Sequence, residues 1–138
     1  MSSKSLVVMI FNSSDDIVEL LRALFEREGF IVLSAHVDDV RRGRIDAQAF
    51  IEQHQPVAIL YDLIPPYDRH GQFLAHLRDS RALRGRRFVI TSANAVAARE
   101  IAKLREDVLE LTGRPSELDA IVRLVTRAAG APSGDASP

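Results

Sequence analysis

In the stretch VAILYDLIPP, residues 57–66, a short apolar run ends on a carboxylate, Asp62, and two prolines then forbid any continuation of a strand. Few other residues could do chemistry. ITSAN, residues 90–94, brings two hydroxyls, Thr91 and Ser92, to the end of a second apolar run, and GRP, residues 113–115, offers one cation, Arg114. IFNSSDD, residues 10–16, places an amide and a hydroxyl, Asn12 and Ser13, at the end of a third run. Asp15 and Asp16 stand just before Ile17, where a helical stripe begins, so they read as helix-start acids that favour the positive end of the dipole. The chain has no cysteine, which excludes disulfides, thiolate nucleophiles and cysteine-ligated metals. It has no Walker-type glycine cradle for phosphate and no nucleophile elbow. His36, His54 and His76 have no ligand-like partners, and Asp68 and His70 fall in the expected loop after Asp62, where a lone histidine is ordinarily solvated.

The elements that must position these groups fit in one domain, since 138 residues suit a single core. Eighteen basic side chains against 19 acidic ones give a net charge of -1, so nothing pulls the chain as a whole toward nucleic acid. The clusters Arg41, Arg42, Arg44 and Arg84, Arg86, Arg87 read as solvated loops, and no nucleic-acid partner is expected. The apolar run near the N-terminus is too short to span a bilayer and no cleavage pattern follows it, so no membrane association and a cytoplasmic location are expected.

Leu6–Phe11, Phe30–Ala35, Val57–Asp62, residues 86–93 and Val108–Thr112 are short apolar runs of the kind covered on both faces of a sheet. Between them the period lengthens. A helix is predicted from Ile17 to the stop at Gly29, with Ile17, Leu20, Leu21, Leu24 and Phe25 inward. Further helices are predicted after Gly43, over Gly71–Asp79 with Phe73, Leu74 and Leu77 inward, over Ala95–Arg105, and over Ser116–Ala129. This alternation argues for an α/β domain over residues 1–129, with a five-stranded parallel sheet and helices on both faces. The tail, residues 130–138, lacks large apolar residues and is expected to be disordered. In an open sheet of this type, chemistry collects beyond the carboxyl ends of the strands, where Asp62 would stand.

With these elements in place, the chain resembles the receiver domain of two-component response regulators over about residues 5–129, a resemblance that implies a flavodoxin-like, five-stranded parallel sheet in the order 2-1-3-4-5. LYDLIPP matches the family's third strand, in which an aspartate accepts phosphate and a proline follows four residues later. Gly71 resembles the glycine opening the next helix. ITSAN matches the hydroxyl residue that contacts the phosphoryl group, Ser92, or Thr91 if the register shifts by one. GRP matches the family's Lys-Pro after strand five, at Arg114 and Pro115. The run DDIVELLRALFEREGFIVLSA resembles the family's first helix and second strand. The resemblance implies a non-enzymatic signalling protein of a phosphorelay with Asp62 as phosphoacceptor. Its partners would be a histidine kinase or an effector, and a homodimer would use the face of the fourth helix, fifth strand and fifth helix. That face takes in Ala97, Ala98, Ile101, Leu104 and the Arg123–Arg127 side of the last helix.

Three positions depart from the family. The acids that hold Mg at the end of strand one fall on Asn12 and Ser13, so a site made of Asp62, Asn12 and Ser13 is weak or absent, because Mg is ordinarily held through carboxylates. Without the metal, phosphoryl transfer loses its main charge stabilisation. Arg114 stands for the lysine and is expected to pair directly with Asp62, leaving the pocket electrostatically satisfied. Leu111 stands where the family carries an aromatic switch on strand five. The expectation is an atypical receiver acting as an interaction module. The alternatives are an orthodox phosphoacceptor at Asp62 and, from another class, a small flavodoxin-like nucleotide or flavin binder.

Overall fold

Residues with β-branched and aliphatic side chains form the strands, and helices with one apolar stripe return the chain each time to the same sheet edge. The computed structural model describes residues 6–103 and 106–136. In chain order these form β1 (Leu6–Asn12), α1 (Asp15–Arg27), β2 (Phe30–His36), α2 (Val37–Arg41), α3 (Ala47–His54), β3 (Ala58–Asp62), α4 (Tyr67–Arg78), a 3-10 turn (Arg81–Leu83), β4 (Arg87–Ser92), α5 (Ala95–Ala102), β5 (Asp107–Glu110) and α6 (Pro115–Ala136). The five strands are parallel in the order β2-β1-β3-β4-β5. This is the topology read from the sequence.

Alternation along each strand divides the core in two. Met9, Phe11, Ile59, Tyr61, Ile90 and Val108 face the layer of α2 to α5. Val8, Ile10, Ala58, Leu60 and Val89 face α1 and α6, meeting Leu21, Phe25, Ile121 and Val125. Each side chain of this size contributes about 1.5–3 kcal/mol when removed fully from water. The central strands are thereby fixed in register, since a slip of one residue would exchange the two faces.

Several boundaries differ from the sequence reading. In α1 the inward positions centre on Val18, Leu21 and Phe25, and Leu20 is 49% exposed. The stripe is centred on the Leu21–Phe25 line, so the residue one turn before Leu21 turns inward and Leu20 is carried off its flank. Helix α4 begins at Tyr67 rather than Gly71, with Pro66 at its N-cap and the His70 amide donating to the Pro66 carbonyl (3.0 Å). Asp68 and His70 therefore lie on a helix, and His70 is buried, not solvated: its Nδ1 is 2.8 Å from the Ile64 carbonyl. The fifth strand ends at Glu110, short of the expected Thr112. The helix expected to end at Ala129 continues as helical backbone to Ala136, into the tail expected to be disordered; residues 137–138 lie outside the described residues. Among the described residues, no helix is long and apolar enough to cross a membrane.

Candidate functional site at the carboxyl edge of the sheet

Parallel strands deliver their last residues to one edge, and three ends converge there: Asn12 of β1, Asp62 of β3 and the Thr91–Ser92 pair of β4. Asp62 is in register with Thr91. The Thr91 hydroxyl donates to Asp62 Oδ1 at 2.7 Å. Consecutive residues of a strand point to opposite faces, so Ser92 cannot make the same contact. Its hydroxyl donates to the Tyr67 hydroxyl (3.3 Å) and accepts from the Asn94 amide (3.2 Å). Of the two hydroxyls left open by the sequence, Thr91 is the one bonded to Asp62.

Asn12 is buried, and its Oδ1 accepts from the Ser14 amide at 2.8 Å. Ser14 in turn caps α1 by accepting from the Ile17 amide (3.2 Å). Ser13 is exposed, and Asp15 and Asp16 occupy the exposed first turn of α1. Asn12, Ser13, Ser14, Ile17, Asp62, Ala93, Leu111 and Thr112 line a cavity of about 310 Å³. Burial pushes the Asp62 carboxyl up to about 6, and the Thr91 hydroxyl bond works against that rise.

The expected ion pair between Arg114 and Asp62 does not form. Arg114 is exposed, is not part of the cavity wall, and Asp62 has no ion pair among the described residues. The cause is a residue the sequence reading passed over, Glu117. Its Oε1 accepts from the amides of Thr112 (2.6 Å), Gly113 (3.0 Å) and Arg114 (3.2 Å), and the Thr112 hydroxyl donates to both its oxygens (3.0 Å). Gly113, at φ 113°, provides the backbone turn that lets consecutive amides converge on one carboxylate. Desolvation would raise the Glu117 carboxyl, but the hydrogen bonds from Thr112, Arg114 and Gly113 hold it below its ordinary value. The loop so fixed presents Arg114 to solvent. Glu117 stands three residues after Arg114, at the capping-box spacing, but the N-cap place holds an arginine rather than Ser, Thr, Asp or Asn, so the sequence carries only half of that signal.

Leu111, the first residue after β5, is buried and packs with the α1 and α6 side of the core, so no aromatic stands at that place. The nearest hydroxyl-bearing aromatic contact in the site is Tyr67 against Ser92. On the face expected for dimerisation, Ala98 is wholly buried and belongs to the core, whereas Val96 (63%) and Ile101 (49%) are exposed; Leu104 lies outside the described residues. Two larger clefts, of about 450 and 510 Å³, open at the opposite edge of the sheet. Their arginines are engaged: Arg86 with the Ala82 and Pro56 carbonyls, Arg87 with Asp107, and Arg78 with Asp79 and Glu106.

The donor set at the carboxyl edge fits Mg poorly. Among the described residues Asp62 is the one carboxylate lining the cavity, and Asn12 already accepts from a backbone amide. Mg sheds its water reluctantly and is ordinarily held through carboxylates in octahedral geometry. Among the described residues no group of three or more His, Asp or Glu side chains could hold a metal ion.

No protein-family model matches the sequence, and no curated protein matches it. Solved structures do. A CheY-like response regulator receiver domain from Methylobacillus flagellatus is 20% identical, with a TM-score of 0.61 over 88% of this chain and 99% of that one. A chemotaxis response regulator of Vibrio cholerae is 16% identical, with a TM-score of 0.66 over 88% and 99%. A response regulator of Burkholderia pseudomallei, solved with a phosphorylated aspartic acid and a calcium ion, is 19% identical, with a TM-score of 0.64 over 97% and 76%. The chain has the fold of a response regulator receiver domain.

Proposed function

We propose that this domain is an atypical receiver of two-component signalling. It acts as a protein-interaction module toward a histidine kinase or an effector, with weak or absent Mg-dependent phosphorylation of Asp62. One observation carries the reading: in a receiver-type edge, Asp62 is the one acid in the cavity, and Asn12 and Ser13 occupy the places beside it. Phosphorylation breaks the bond between phosphorus and its donor atom, the imidazole nitrogen of a kinase phosphohistidine or the leaving atom of a small phosphodonor, and forms one to a carboxylate oxygen, and its rate depends on neutralising charge on the transferring group. Asn12 and Ser13 supply neutral oxygens only, and Arg114 is directed elsewhere. The competing reading is an orthodox acceptor, favoured by the Thr91 hydroxyl held on Asp62.

The deciding experiment is incubation with a small phosphodonor and Mg, read by intact mass. The wild type is expected to label slowly or not at all. Asn12→Asp with Ser13→Asp should restore the acidic set and speed labelling. Rapid, stoichiometric, Mg-dependent labelling of the wild type at Asp62 establishes the orthodox reading instead.

A further inference from the structure

The cavity at Asp62 has a definite chemical character. Its floor carries one negative charge that no cation of the described residues neutralises. Oδ1 of that carboxylate takes the Thr91 hydroxyl, which fixes the group's orientation. Asn12 also lines the cavity, its amide oxygen accepting from the Ser14 amide with one lone pair left over, as do Ser13 and Thr112, the Thr112 hydroxyl being donated to Glu117. The rest of the wall is apolar, formed by Ile17, Leu111 and Ala93. The protein's own candidate for the missing positive charge, Arg114, is exposed on a loop that five amide and hydroxyl bonds anchor to Glu117.

The complementary ligand therefore has one positive charge, several N–H donors and an apolar stem. A hydrated divalent ion fits less well, because a single carboxylate cannot compensate its dehydration. An ammonium is compact and strongly hydrated, whereas a guanidinium is weakly hydrated, planar and matched to a carboxylate with neighbouring acceptors. The stem of an arginine would lie along Ile17 and Leu111 with its head at Asp62. A cavity of about 310 Å³ has room for such a head and part of its stem.

We propose that the Asp62 cavity binds the guanidinium group of an arginine presented by a partner protein. This rests on the interaction-module reading above and names the group that the module would capture. The charge of a receiver's acceptor site then recognises a side chain instead of a metal and a phosphoryl group.

The test is amide NMR on the intact chain at matched ionic strength, following Asn12, Ser13, Asp62, Ala93 and Thr112. The probes are N-acetyl-arginine-amide, n-propylguanidinium, n-propylammonium and the neutral isostere n-propylurea. Both guanidinium probes are expected to bind at these residues about tenfold or more tightly than the urea. Asp62→Asn, checked for folding by circular dichroism, should remove that advantage. Asn12→Asp, which adds a second carboxylate, should increase it severalfold. Equal shifts by guanidinium and urea, or retention of selectivity in Asp62→Asn, overturn the proposal. Binding of propylguanidinium without acetyl-arginine-amide overturns the partner arginine as its source, and preference for propylammonium overturns the choice of guanidinium. Guanidinium selectivity together with rapid Mg-dependent labelling of Asp62 would overturn the weak-phosphorylation reading and leave the cavity assignment supported.

Discussion

Replacing Asp62 by asparagine should stabilise the domain, and by an amount that depends on pH. The folded carboxyl stands at about 6 against an ordinary 3.8, so folding favours its protonated form. The folded state binds that proton more tightly than the unfolded state does. The group's favourable contribution is therefore complete below the ordinary value and is lost as pH rises through about 6, above which the ionised carboxylate is a cost. A rise of about two units corresponds to about 3 kcal/mol. Water in the open cavity reduces this, so about 1–3 kcal/mol is expected near neutral pH and above. Asparagine keeps an oxygen to accept from Thr91 and removes only the charge. Urea unfolding of wild type and variant, followed by circular dichroism at about pH 4 and about pH 8, isolates the effect because every other titrating group cancels in the difference. The variant should gain stability at the higher pH and little at the lower. A less stable variant at about pH 8, or the same difference at both, would refute the claim that Asp62 sits desolvated and without a cation.

The two hydroxyls of β4 should separate on mutation. Thr91→Val leaves a desolvated carboxylate without its donor and should cost about 1–3 kcal/mol in urea unfolding near neutral pH, whereas Ser92→Ala gives up a neutral bond worth about 0.5–1.5 kcal/mol. The reverse order would show that Asp62 is supported from elsewhere. Glu117→Ala should cost about 1–2 kcal/mol at neutral pH, discounted for the solvent around the site. Because the folded Glu117 carboxyl lies below its ordinary 4.5, that difference should fade as pH falls below this value; a constant difference down to about pH 3 argues against the anchoring role. Millimolar Mg should leave the wild-type melting temperature unchanged. In Asn12→Asp with Ser13→Asp it should raise stability by about 2.7 kcal/mol at a hundredfold the dissociation constant, a gain that thermal unfolding would detect and that Asp62→Ala should abolish.

The sheet was legible because burial on both faces writes continuous apolar runs, such as Val8–Phe11 and Ile59–Tyr61, and because helices between parallel strands leave few topologies open. The start of α4 was not legible. Gly71 looks like an opening residue, yet the proline at 66 is the true cap, and a proline before Tyr67 costs a helix nothing at its first turn. The choice between Thr91 and Ser92 was also out of reach of pattern reading, since it turns on a one-residue register between two strands that only their pairing fixes. Arg114 misled for a different reason. It follows the fifth strand at the edge that carries Asp62, but nearness in the chain's layout does not set direction. Direction is set by the backbone of residues 112–114, and that backbone answers to Glu117, which no reading centred on the acid and the cation would weigh.

This arrangement links the two charges at the carboxyl edge in an unexpected way. A carboxylate and an arginine within one small region would ordinarily neutralise each other, and the desolvation of Asp62 would then be offset internally. Here the acid of the last helix, Glu117, competes for the loop that carries Arg114 and takes it through backbone amides rather than through the guanidinium. Three amides and a hydroxyl on one carboxylate hold the loop, and an Asp62–Arg114 pair would have to break them while drawing the exposed guanidinium out of water, a desolvation cost that can exceed the Coulombic gain. The anchored loop therefore wins, and no cation among the described residues compensates Asp62 in the cavity. An edge built this way is poised for a positive group arriving from outside the chain.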